Sequence, residues 1–168
     1  MAVGQRDYTS ISIDVPSDAG RYMRMRELTS ALWDAFGDTA EGARGYSWCG
    51  FYVFDREQDA LLLAARQPKP ACSPIELGGI CGRSWQSQRP VVVDDVRTLP
   101  ADGYVACDPK DLSEVVVPMI QNGSCWGVLD VDSFDTAAFS KADAMGLLDA
   151  AHRAGLCDAP GPFDVEIL

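Results

Sequence analysis

Histidine is nearly absent from this chain: His152 is the only one in 168 residues. That excludes histidine-rich zinc sites. It also leaves any Cys-His or Ser-His nucleophile pair a single base, placed far in sequence from the other polar clusters. Basic side chains are few as well, 14 against 25 acidic ones, for a net charge of −11 and a pI near 4.3. Such a surface repels nucleic acid and anionic membranes, so neither is expected as a partner. No apolar run approaches the ~20 residues that cross a bilayer. Met1-Ala2-Val3-Gly4-Gln5-Arg6-Asp7 lacks the basic-then-apolar order of a signal peptide, so the expected compartment is the cytoplasm. Close C-x₂-C pairs are missing too. The nearest cysteines, Cys72 and Cys81, have eight residues between them, and no metal is expected. Gly78-Gly79-Ile80-Cys81-Gly82 is neither a phosphate loop nor a dinucleotide fingerprint, so no nucleotide, flavin or other cofactor is expected.

Six cysteines are present. Structural disulfides are rare in a reducing compartment, so these thiols should be buried, metal-bound or catalytic. Cys49, inside an aromatic stretch, and Cys125, in a hairpin, read as core residues; Cys157 reads as incidental to the tail. Cys72, Cys81 and Cys107 fall at loops or a helix start, where thiols can be exposed and activated, although Cys81 also reads as a packing residue among its glycines. Glu114, Asp130 and Asp132 follow them. The two aspartates have the same parity, so on a strand they share one face, with Leu129 and Val131 on the other. Adjacent same-face acids are costly unless they serve something positive; a solvated strand end is the alternative. Thiols beside carboxylates point to redox chemistry on a small polar molecule that is cationic or accepts a proton.

The pattern of elements predicts one α+β domain. Apolar positions Tyr22, Met25, Leu28, Leu32 and Phe36 predict a helix starting near a Ser17-Asp18 cap and ending by Gly37 or Gly42. Strands are expected at 47–54, 60–65, 90–93, 114–120 and 124–131. Asn122-Gly123 should join the last two, and the Asn122-Gly123-Ser124 sequon is read as that turn. A short helix is expected from about Gly78 to Gln88, and a last helix from Ser140, with Asp143 completing its cap, to about Ala154. His152, near that helix's end, needs no function. The terminal helices should cover one face of a mostly antiparallel sheet, with the thiol-bearing loops on the other. Residues 1–16 form an extension, either a tail or an edge strand through Ile11, Ile13 and Val15. The domain spans 17–156, and 157–168 form a loose tail.

Taken in order, several segments resemble the GAF-domain free methionine-(R)-sulfoxide reductases. They are Trp48-Cys49-Gly50-Phe51-Tyr52, Ala71-Cys72 with Ile75, Ile80-Cys81-Gly82, Val92 with Asp94 and Val96, and Ala106-Cys107-Asp108. The series ends with Ser113-Glu114-Val115-Val116-Val117-Pro118 and Gly127-Val128-Leu129-Asp130-Val131-Asp132-Ser133. In place of the family's Gly-Pro-Phe-Gln-Gly-like stretch this chain has Arg66-Gln67-Pro68-Lys69-Pro70, and Tyr104 stands where a histidine is usual. The resemblance implies a GAF fold, a six-stranded antiparallel sheet flanked by helices, and commonly a homodimer. It implies that Cys107 attacks the sulfoxide sulfur, that Cys72 resolves the sulfenic acid as a Cys72–Cys107 disulfide, and that thioredoxin reduces it. Cys81 would be a secondary thiol able to exchange with Cys72. Glu114, Asp130 and Asp132 would hold the α-ammonium and polarise or protonate the sulfoxide oxygen, and Trp48 and Tyr52 would wall the methyl end.

The residue types suit that chemistry on their own terms, because close carboxylates raise at least one apparent pKa and keep a proton available. Two other readings stay open. One is a GAF module that binds a small molecule or senses redox state without catalysis. The other is a thiol peroxide sensor, which accounts for the cysteines but not for the paired aspartates.

Overall fold

The computed structural model describes residues 5–38, 44–101, 104 and 107–168. Aromatic and β-branched residues build β1 (Trp48–Asp55), and a polar turn leads into β2 (Ala60–Gln67). The sheet continues with β3 (Val91–Val93), β4 (Ser113–Gln121), β5 (Ser124–Ser133) and β6 (Glu166–Ile167), in the order β2-β1-β5-β4-β3-β6. Every pairing is antiparallel except that of β6 with β3. Asn122 and Gly123, at φ +54° and +74°, form the expected tight turn between β4 and β5. The architecture is thus α+β, with a six-stranded, mostly antiparallel sheet.

Parity divides the sheet into two cores. Cys49, Phe51, Val115, Val117, Leu129 and Val131 face the helices α1 (Arg21–Phe36) and α3 (Lys141–Arg153). On the other face Trp48, Tyr52, Val91, Val93, Val116 and Val128 pack with Ile80 and Cys81 of α2 (Ile80–Ser87). α3 carries the expected capping box of Ser140 and Asp143. α1 starts at Arg21 rather than beside Ser17-Asp18, because the Arg24 guanidinium takes the Ser17 and Ala19 carbonyls, each at 2.9 Å, and holds that segment as a turn. Met25, Leu28 and Leu32 are buried as expected, whereas Tyr22, in the first turn, is exposed.

Both termini depart from expectation. Residues 11–15 form no strand. A 3₁₀ turn at Tyr8–Ser10 docks on α3 and buries Tyr8 and Ile11. Tyr8 donates to Asp143 at 2.9 Å, which also receives the half-sandwiched Arg6 guanidinium at 2.8 Å. The tail is ordered rather than loose. Cys157 is buried in the helical core, β6 extends the sheet, and Arg83 of α2 pairs with Glu166. His152 has a structural partner, its Nδ1 lying 3.0 Å from the Cys157 carbonyl oxygen.

Candidate active site

Register brings together what the sequence keeps apart. Trp48 of β1 lies opposite Asp132 of β5, which lies opposite Glu114 of β4; in the next row Gly50 is opposite Asp130. Side chains of one parity point to one face, so Trp48, Tyr52, Glu114, Asp130 and Asp132 converge on the side away from α1 and α3. They line one end of a cavity with two lobes. The inner recess also contains Ser47, Lys69, Pro70, Ala71, Tyr104, Cys107, Asp108 and Asp111. The outer lobe, about 440 Å³, adds Cys72, Pro74, Ile75, Glu76 and the start of α2 with Cys81. Tyr52, Tyr104, Cys107, Glu114 and Asp130 border both lobes.

The thiols sit in unlike surroundings. Cys72 and Cys107 are exposed, whereas Cys81 is buried, in keeping with the packing alternative left open for it. The reason is that Cys81 is in the first turn of α2, which packs onto the sheet, and its thiol is hydrogen-bonded to Asp130. Cys107 is hydrogen-bonded to the side chain and backbone of Cys72. Partial burial pushes Cys107 up to about 12, and the adjoining Cys72 thiol adds to the shift, so Cys107 rests protonated at neutral pH. The loop that carries Cys72 is irregular but pinned. Trp48 Nε1 donates to the Lys69 carbonyl at 2.8 Å, the Tyr52 hydroxyl to the Cys72 carbonyl at 2.9 Å, and the Leu63 amide to Ser73 Oγ at 3.0 Å. Lys69 Nζ then donates to Asp108 Oδ2 at 2.6 Å, joining the Cys72 loop to the Cys107 loop.

The carboxyls are the electrostatic anomaly. Burial drives Glu114, Asp130 and Asp132 well above the usual carboxylate range, and their mutual repulsion drives them further. Glu114 and Asp130 adjoin, and their repulsion favours a form of the pair that keeps a proton. Even so, Glu114 Oε2 and Asp130 Oδ1 are buried without a donor. Buried oxygens without a donor call for a hydrogen-bonding partner, and an ammonium supplies one together with the charge that lets these carboxyls ionise. Among the described residues, ligand atoms of Cys81, Glu114 and Asp130 lie within 4.8 Å of one another and could also hold a metal ion.

Sequence reasoning missed part of the site. Asp111 is buried, accepts from Ser47 Oγ at 2.6 Å and is raised to about 6 chiefly by burial; no periodicity marks it, because it precedes β4 in irregular chain. Lys69 and Asp108 are brought in by loop packing. Cys49 is in the helical core, with its thiol toward the Thr29 carbonyl, as expected; Cys125 is only half-buried.

A model of the GAF domain family matches residues 25–155. The free methionine-R-sulfoxide reductase of Saccharomyces cerevisiae (strain ATCC 204508 / S288c) is 37% identical over 122 residues, covering 71% of this chain and 65% of that one. The Escherichia coli K12 protein of the same name is 37% identical over 102 residues, 60% and 59% of the two chains. The chain thus spans less than two thirds of the length of either relative. The solved free methionine-R-sulfoxide reductase of Neisseria meningitidis, in complex with its substrate, superposes with a TM-score of 0.72 at 35% identity, covering 82% of this chain and 77% of that one. With its GAF fold, this chain belongs to the GAF-domain free methionine-R-sulfoxide reductase family. No helix among the described residues is long and apolar enough to cross a membrane.

Proposed function

We propose that this protein reduces free L-methionine-(R)-sulfoxide to L-methionine. The observation that carries the reading is the buried Glu114–Asp130–Asp132 group, with two acceptors lacking donors, set on the same cavity as the facing Cys72 and Cys107 thiols. A free amino acid sulfoxide supplies what each part lacks: an ammonium for the carboxylates and an electrophilic sulfur for a thiol. Trp48 and Tyr52, both buried, wall the apolar end of the substrate.

In this reading the Cys107 sulfur attacks the sulfoxide sulfur while a protonated carboxyl of the acidic group donates to the oxygen. Methionine leaves, the oxygen stays on Cys107 as a sulfenic acid, and the thiol proton restores the carboxyl. The Cys72 thiol then attacks Cys107, forming the disulfide and releasing water. A dithiol reductant such as thioredoxin takes up the disulfide and restores both thiols. Cys81, buried and bonded to Asp130, serves first as part of the floor, and exchange with Cys72 requires the start of α2 to move. Operation in the cytoplasm, as a homodimer, without resident metal or cofactor, completes the proposal.

The test follows NADPH oxidation with thioredoxin and its reductase on free R, free S and peptide-bound sulfoxides. Turnover of the free R form alone is expected, with Cys107→Ser folded but inactive. Absence of turnover with every sulfoxide by the reduced, folded protein would overturn the assignment and leave a GAF ligand or redox sensor.

A further inference from the structure

A zwitterionic amino acid brings one charge for which the acidic group offers nothing. Its carboxylate must enter a cavity bordered by Glu76, Asp108, Asp111, Glu114, Asp130 and Asp132. Asp108, ionised in its pair with Lys69, repels a second carboxylate at such range unless a cation intervenes. Among the described residues of both lobes the only Lys or Arg is Lys69. We propose that the Lys69 ammonium is the specificity element that receives the substrate's α-carboxylate, and so selects the zwitterion over an amino acid derivative whose carboxyl is blocked. This rests on the reductase reading above.

The geometry supports the assignment in three ways. Lys69 lines the inner recess together with the acids that would take the α-ammonium. Its backbone is held by the Trp48 indole, a wall of the recess, which donates to the Lys69 carbonyl at 2.8 Å. Its side chain is 55% exposed and, among the described residues, paired with Asp108 at 2.6 Å, so the ammonium can turn from one carboxylate to another at the mouth without crossing the core. The pairing with Asp108 already shows that a carboxylate fits there, and it keeps the ammonium at the recess while the site is empty. Charge opposition along the cavity then orients the ligand. The ammonium goes down to Glu114 and Asp130, and the carboxylate up to Lys69.

Substrate chemistry isolates this role. L-methionine-(R)-sulfoxide and its methyl ester share the ammonium and the sulfoxide and differ in the carboxylate charge. The unaltered protein should show kcat/KM about tenfold higher for the acid than for the ester, carried by KM. Lys69→Met should bring that ratio close to one by losing activity on the acid while keeping activity on the ester, and Lys69→Arg should restore most of it. Equal use of acid and ester by the unaltered protein overturns the assignment of Lys69 and leaves the reductase standing. So does an equal loss on both substrates in Lys69→Met, or a ratio that Lys69→Met does not change. No turnover of either substrate by the unaltered protein overturns the reductase reading, and the role of Lys69 with it.

Discussion

Gly50 has no side chain to spare the Trp48 indole: a Cβ at this position would lie 2.4 Å from the ring and 2.9 Å from Arg66 Cβ. The glycine therefore lets the tryptophan lie flat along its own strand and form a wall of the recess. Gly50→Ala should cost about 1–3 kcal/mol in chemical denaturation, the usual penalty of overpacking, and raise KM for the sulfoxide more than it lowers kcat. Unchanged stability and KM would show that the indole has room to turn aside. Residue by residue, the acids and thiols could be picked out of the sequence, because same-parity carboxylates in an apolar strand break its pattern. Asp111 and Lys69 could not. Each owes its position to a loop held by side chains from distant strands, Ser47 for the first and Trp48 for the second.

At the scale of elements, regular periodicity and turn chemistry made the helices, the two hairpins and the α3 capping box legible. What escaped was structure stabilised by long-range polar contacts. The segment before α1 keeps its turn through Arg24, and the N-terminal 3₁₀ turn through Arg6 and Tyr8 on Asp143. Two-residue β6 has no period to detect and exists because it lies beside β3, clasped by Arg83 to Glu166. Arg6 is the sharper case: its side chain is only 9% exposed, and its removal leaves the equally enclosed Asp143 without its ion pair. Arg6→Ala should cost about 3–5 kcal/mol, as expected for breaking a buried pair, and the loss should be read in urea midpoints with the reductase KM unchanged. A loss under 1 kcal/mol would make the N-terminal strap dispensable.

For the whole molecule, the acidic site sets a trend with pH. Glu114, Asp130 and Asp132 in the folded chain hold protons well above the usual range, and Asp111 does so up to about 6, whereas the unfolded chain releases them near 4. The native state therefore binds more protons, and stability must fall as pH rises through this interval. The melting temperature should drop between pH 5 and pH 8. Asp130→Asn should melt higher than the unaltered protein at pH 8, show a shallower slope, and bind substrate poorly. A flat profile would place those carboxyls in ordinary solvent. Free methionine, which brings an ammonium, should reverse part of the drop. The distribution of sulfur also decides how the protein meets an oxidant. Four of the six thiols are sheltered at least in part, while Cys72 and Cys107 lie open to solvent and face each other. Excess oxidant thus meets first the two sulfurs that, in the proposed mechanism, protect one another by closing a bond, which would confine wear to the place where it is reversible.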